Sequence, residues 1–147
     1  MRVERCTHET LDDWVALRRE LWPEAPIATH RAEAADDLGA PDRAVAFIVR
    51  DVDGSAAGFA EASLRRDYVN GCETSPVAFL EGIYVRVGQR KRGIARLLIQ
   101  AVEDWGKQRG CSEFASDADI GNEVSRRMHA ALGFAETERV VFFRKPL

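Results

Sequence analysis

At 147 residues, with 46% hydrophobic and 31% charged residues, the chain is long enough to bury a full core and leave a cleft, and is read as a single domain, 1–147. A net charge of −3 gives nucleic acid no overall attraction; no run is long and apolar enough to span a membrane; and residues 1–5 lack the apolar core of an export signal. Three scattered cysteines, Cys6, Cys72 and Cys111, show neither metal-ligand spacing nor a nucleophile motif, so reduced thiols, a cytoplasmic location and no metal are expected.

Residues 1–6 suit a short first strand. Thr10 and Asp13 resemble a capping box, and Leu11, Trp14, Val15, Arg18, Leu21 and Trp22 then fall at helical spacing until Pro23 and Pro26 stop the helix. Trp22 stands at that stop, either as a core aromatic or as part of a lid. A second helix is expected over 29–38, capped by Thr29 and ended by Gly39. The period then changes: strands over 44–50 and 56–64 flank Asp53-Gly54, a hairpin signal.

Residues 65–75 read as a polar loop with an Asn70-Gly71 turn and one aromatic, Tyr68. A long apolar strand follows over 77–87, with Glu81 in its middle. An ionised carboxylate there is costly unless something positive meets it, so Glu81 is either in an ion pair with an arginine or functional. Ile94, Leu97, Leu98, Ala101, Val102 and Trp105 mark an amphipathic helix closed by Gly110. A strand over 112–116, a loop over 117–121, a helix over 122–132 ended by Gly133, and one or two strands over 134–145 complete the chain, with Val140-Val141-Phe142-Phe143 as a β-rich run. The order implies a mixed α/β (α+β) domain around one sheet.

Between strand and helix, residues 85–96 hold five basic residues and no acidic one. Gly93 and Ala95 lack bulk where a ligand would pass close, and the free N–H groups of the helix start favour an anion such as a pyrophosphate. Neither a P-loop nor a dinucleotide-binding glycine pattern is present.

Arg90-Lys91-Arg92-Gly93-Ile94-Ala95 resembles the Arg/Gln-x-x-Gly-x-Gly/Ala signature of the GNAT acetyltransferases, placed as there between a long strand and an amphipathic helix. Asn122 and Leu132-Gly133-Phe134 match that superfamily's later block. Leu21-Trp22-Pro23, the stretch from Asp67 to Cys72, Phe79-Leu80-Glu81-Gly82-Ile83, Ala115-Ser116-Asp117 and the stretch from Gly133 to Val140 are similar to the aminoglycoside 6'-N-acetyltransferase subgroup.

The resemblance implies the GNAT acyl-CoA N-acyltransferase fold, a splayed mixed central sheet flanked by helices. It also implies acetyl-CoA as acyl donor, an aminoglycoside as acceptor, direct transfer without an acyl-enzyme, and a homodimer. By the same resemblance the pantetheine arm pairs with Ile83, Tyr84 and Val85, the pyrophosphate lies over Lys91, Arg92, Gly93, Ile94, Ala95 and Arg96, and Asn122 contacts the cofactor from the other side. Substrate contacts map to Trp22, Tyr68, Glu81, Asp117 and Glu138.

A neutral amine is required for attack, so a site for a polycation needs acids that hold charge and accept one proton. Six acids against two arginines between Glu113 and Glu138 suit that need. Glu81 and Asp117 are rival bases, Asp117 being otherwise a cap for the helix at Asn122 or a solvated loop acid. His129 occupies the place of a GNAT tyrosine that protonates the leaving thiolate, and is otherwise a packed helix histidine. Ala25 stands where related chains carry a histidine, which leaves open another amine acceptor, such as a polyamine or a protein N-terminus. A CoA-binding module without turnover is the alternative from a different class.

Overall fold

In the computed structural model, which describes residues 1–147, five strands form one sheet in the order β1-β2-β3-β4-β5. They are β1 (Arg2–Arg5), β2 (Ala44–Arg50), β3 (Ala56–Arg65), β4 (Val77–Val85) and β5 (Phe114–Ala115). β1 through β4 are antiparallel to their neighbours, whereas β5 runs parallel to β4, as the helical crossover between them requires. Four helices, α1 (Leu11–Leu21), α2 (Ile27–Leu38), α3 (Ile94–Gln108) and α4 (Glu123–Ala131), make the mixed α/β fold expected. No helix is long and apolar enough to cross a membrane.

The near-continuous apolar runs of β2 and β3 follow from burial on both faces. Along β2, Val45 and Val49 point into a core beneath α3, with Ile94, Leu98, Val102 and Trp105. The alternating residues Ala46 and Ile48 point into a second core under α1 and α2, with Trp14, Leu17, Ala34 and Phe59. Each fully buried large side chain contributes about 1.5–3 kcal/mol of transfer free energy, so the two layers lock both sides of the sheet.

Several local expectations shift. The capping box lies one turn early: Thr7 accepts from Glu9 N–H at 3.2 Å, and Thr10 Oγ1 accepts from Thr7 N–H at 2.8 Å, so Thr10 does not cap α1. α2 starts at Ile27 behind Pro26, whose fixed φ suits a helix entry, and Thr29 lies inside the helix. β4 ends at Val85, and Val87–Gln89 is a 3-10 turn. The expected strand over 112–116 shrinks to Phe114–Ala115.

The strands expected over 134–145 do not form. Thr137 packs against Gly71, and no backbone group beyond Phe134 bonds to another backbone group. Val141, Phe142 and Phe143 are 77%, 87% and 93% exposed. Strand propensity alone supplies no hydrogen-bonding partner, and the outer edge of β5 stays unpaired.

Candidate active site

β5 pairs with β4 only at Ala78 and Phe79, so from Leu80 to Val85 the edge of β4 faces no strand. This opening is the splay expected of the sheet. Its strand carbonyls and N–H groups at Ile83, Tyr84 and Val85 are thereby placed beside the basic turn, where Arg90 Nε donates to Val85 O at 3.0 Å.

The turn that follows owes its shape to two left-handed residues, Lys91 at φ 63° and Gly93 at φ 82°. Glycine adopts that conformation freely and lysine at a penalty, so Lys91 is a strained residue at the mouth of the turn. Gly93 is the N-cap of α3 and offers no side-chain acceptor, which leaves the first N–H groups of α3, from Ile94 through Arg96, without an intrahelical partner. The turn therefore presents unpaired backbone N–H groups with the positive end of the helix dipole behind them, an arrangement that favours an anion.

Its arginines are less free than their number suggests. Arg92 forks onto Asp51 at 2.8 and 3.1 Å and also meets Gln89, while Arg96 donates to Ala131 O at 3.2 Å. The Arg92 guanidinium holds the Asp51 carboxyl down to about 2. Arg92 thus braces the turn against the β2–β3 hairpin, and Lys91 is left as a side-chain cation with no partner in the chain.

On the acceptor side, β3 and β4 change register at Glu61: Glu61 faces Gly82 and Ala62 faces Leu80, so Glu81 is the extra residue of a β-bulge. The bulge turns Glu81 out of the apolar pattern. Its side chain is 37% exposed, and its Oε1 accepts from Ser63 Oγ at 2.6 Å and from Arg65 at 3.0 Å. Glu81 thus does meet an arginine, Arg65, and stands partly exposed at the cavity rather than within the apolar core. Gly82, beside it, is the landing place of Trp22: a Cβ there would lie 2.5 Å from the indole ring, so only glycine admits this contact. Trp22 also meets Phe59 edge-on at 6.1 Å, which makes it both core aromatic and cavity wall.

The buried acid is instead Glu61, 4% exposed, which sequence reasoning passed over. Its Oε1 accepts from Trp14 Nε1 at 2.6 Å and from the guanidinium of Arg18, itself 3% exposed. Arg18 also reaches Glu33 and His30 Nδ1, and its guanidinium lies 5.0 Å from the centre of the Trp22 ring. Burial pushes the Glu61 carboxyl up to about 7, against the opposing pull of Arg18 and the Trp14 N–H. The signal was present in the sequence: Arg18 falls among apolar residues on the inner face of α1, and a cation there demands an acid from another element.

A cavity of about 360 Å³ joins these groups, lined by Arg18, Trp22, Glu33, Asp37, Glu61 and Glu81. Of the expected substrate contacts, Trp22 and Glu81 meet in it. Tyr68 is 76% exposed in the loop after β3, Asp117 is exposed in the loop after β5, and Glu138 lies in the extended C-terminal stretch.

Asp117 is not the cap of α4. Asn122 caps it, its Oδ1 accepting from Ser125 N–H at 3.1 Å, with the amide NH₂ left free. His129 is packed edge-on against Phe134 at 5.2 Å with both ring nitrogens engaged. Nδ1 donates to Ser125 O at 2.7 Å, which fixes the tautomer and makes Nε2 the acceptor from Ser116 Oγ, also at 2.7 Å.

Comparison with known proteins agrees with this geometry. The Acetyltransferase (GNAT) family matches residues 8–134. The chain is 58% identical to the aminoglycoside N(6')-acetyltransferase type 1 of Serratia marcescens, covering 97% of each chain. It is 50% identical to that of Salmonella typhimurium, covering 99% of each. The solved structure of AAC(6')-Iy in complex with bisubstrate analog CoA-S-monomethyl-acetylneamine superposes with a TM-score of 0.94 at 48% identity, covering 99% of this chain and 98% of that one. A strand edge left open beside an uncapped helix start, in a chain that shares half its residues with these relatives along its whole length, places the protein plainly: it belongs to the acetyltransferase (GNAT) family.

Proposed function

We propose that this chain transfers the acetyl group of acetyl-CoA directly to the 6'-amino group of an aminoglycoside, giving CoA and an N-acetylated drug and so conferring resistance. The observation that carries the reading is the acid-lined cavity holding Trp22 and Glu81, which adjoins the strand edge suited to a thioester arm. A polycation fits a recess with four carboxylates against one arginine. The chemistry is that of a single domain, 1–147, in the cytoplasm, where acetyl-CoA is made and thiols stay reduced.

In this reading the pantetheine arm pairs with the backbone of Ile83, Tyr84 and Val85. The pyrophosphate sits on the N–H groups of Gly93, Ile94, Ala95 and Arg96 with Lys91 beside it, Arg92 bracing the turn, and Asn122 turns its free NH₂ toward the cofactor. Trp22, Tyr68, Asp117 and Glu138 hold the acceptor. Glu81 takes the proton of the 6'-ammonium, directly or through a water, and Asp117 is the second carboxylate available for that work. The freed amine attacks the thioester carbonyl, the C–S bond breaks, and the second proton that the nitrogen sheds as the amide forms reaches the departing thiolate by way of Ser116 Oγ and His129 Nε2, which holds it in transit. A thiol-release assay with acetyl-CoA and kanamycin or tobramycin is expected to show turnover; CoA release with a polyamine but with neither drug would move the acceptor elsewhere.

The finer proposal on assembly is a homodimer in which the run from Val140 to Phe143 pairs with a second copy. Its support is an apolar, strand-forming segment with unpaired backbone in a molecule whose β5 edge is open. Light scattering is expected to give twice the chain mass, and the mass of one chain at working concentration would overturn it.

A further inference from the structure

The loop 66–76 between β3 and β4 carries Tyr68 and is poorly tied to itself. Within it only the Cys72 N–H finds a backbone partner, Val69 O at 3.0 Å, and Ser75 Oγ closes it by donating to Arg66 O at 2.9 Å. Beneath it lies a small core apart from the two main ones: Val69, Val77 and Phe79, with Cys72 and Ala115 against them. A segment with so few bonds of its own opens easily unless another element holds it.

Glu113, the residue before β5, supplies that hold. Its Oε1 accepts from Glu73 N–H at 2.9 Å, from Thr74 N–H at 2.7 Å and from the Thr74 hydroxyl, and the Cys72 thiol meets the same carboxylate. Its backbone oxygen accepts from Ala78 N–H at 3.2 Å, so one residue binds the loop through its side chain and β4 through its main chain. The Thr74 hydroxyl and the Glu73 N–H hold the Glu113 carboxyl below the usual carboxylate range. An acid so engaged is spent inside the chain and is withdrawn from those free to meet a polycation.

The loop in turn supports the C-terminal stretch. Gly71, at φ 81°, packs so closely on Thr137 that a Cβ there would lie 2.2 Å from the Thr137 hydroxyl oxygen, and Glu138 is the next residue. Beyond Glu113, the chain of β5 runs on to Ser116 and Asp117. The clamp therefore joins three segments: the loop with Tyr68, the stretch with Glu138 and the strand leading to Asp117.

We propose that Glu113 is a positioning residue for the acceptor: by fastening loop 66–76 to β5 it sets Tyr68 and, through the contact of Gly71 with Thr137, Glu138 at fixed places relative to Asp117. The inference rests on the acceptor reading above and deepens it. With the clamp released the loop is in place for only part of the time, and the apparent affinity for the acceptor falls by that fraction. Once the acceptor is bound the loop is ordered, so the chemical step is unchanged.

Glu113→Ala removes the clamp, whereas Glu113→Gln keeps an oxygen that accepts the same hydrogen bonds; a thermal melt near that of the wild type checks the fold of each. Thr74→Val, which removes one donor from the loop side, is expected to show the changes of Glu113→Ala at smaller size. Hydrogen exchange over 66–76, read by mass spectrometry, is expected to quicken about tenfold in Glu113→Ala and to stay near wild type in Glu113→Gln. Calorimetry with kanamycin is expected to show about tenfold weaker binding in Glu113→Ala, matched by the rise in KM, with kcat and KM for acetyl-CoA within about twofold. Glu113→Gln is expected to stay within about threefold of wild type in all of these, and a Tyr68→Ala background to absorb most of the Glu113→Ala effect, since both act through one loop. Equal kanamycin affinity in the wild type and Glu113→Ala, an equal loss in Glu113→Gln, or full additivity with Tyr68→Ala overturns the positioning role. Binding that weakens as stated without any CoA release supports it and overturns the acetyl-transfer reading instead, so the two fail separately.

Discussion

Glu81→Gln is expected to lower kcat by about 100- to 10,000-fold, the range over which a positioned general base contributes, while KM for acetyl-CoA stays unchanged. The bulge at β4 sets this role apart from charge holding. It lifts Glu81 out of the sheet pattern and fastens it by Ser63 at 2.6 Å and Arg65 at 3.0 Å, so the carboxylate is held in one place beside the open edge of the strand. Glutamine keeps the shape and an acceptor oxygen and loses the ability to take a proton. The pH–rate profile of the wild type is expected to show an acidic limb that the variant lacks. A variant with normal kcat and a raised acceptor KM would reduce Glu81 to an electrostatic contact and leave Asp117 as the base.

Arg18→Met carries the largest expected effect on stability. Methionine preserves much of the apolar stem and removes the guanidinium, leaving Glu61 buried with only the Trp14 N–H. Breaking a buried pair in this way costs about 3–5 kcal/mol, a large part of the stability of a domain. The sign with pH is determined by Glu61. Its folded pKa of about 7 lies above the ordinary glutamate value of 4.5, so its contribution is fully present below about 4.5 and is lost as pH rises through 7. Without Arg18 the carboxyl is raised further, so the deficit of the variant is expected to be small near pH 5 and full near pH 8. Urea unfolding at the two pH values measures it, and an equal deficit at both would mean that Glu61 is not the group left uncompensated.

Much of this molecule is visible in patterns of near neighbours. The hairpin at Asp53-Gly54, the basic turn with Gly93, the amphipathic face of α3 and its close at Gly110 are decided over a few residues by backbone freedom and periodicity, and the structure places all of them as read. Trp22 and Glu81 were visible as well, one by its place at a helix stop and both by family resemblance. Their meeting in one cavity was not, because it depends on Gly82 admitting the indole ring and on a bulge that follows from the pairing of β3 with β4.

The C-terminal stretch shows the opposite limit. Val140 to Phe143 have the composition of a strand, but a strand exists only where an edge accepts it, and within this chain none does.

The sequence by itself determined the helices, the strands up to β4, the β2–β3 hairpin, the basic glycine turn before α3 and the family, since each rests on local spacing or on motifs of a few residues. Only the tertiary structure decided which glutamate is buried. Glu61 and Glu81 sit on neighbouring strands with similar apolar surroundings in sequence, and it is the arrival of Arg18 and Trp14 from α1, more than 40 positions away, that makes one of them a buried ion pair and leaves the other at the cleft. Asp37 enters the site for the same reason: the energy of a charge depends on what is packed around it, and packing is a property of distant elements brought together.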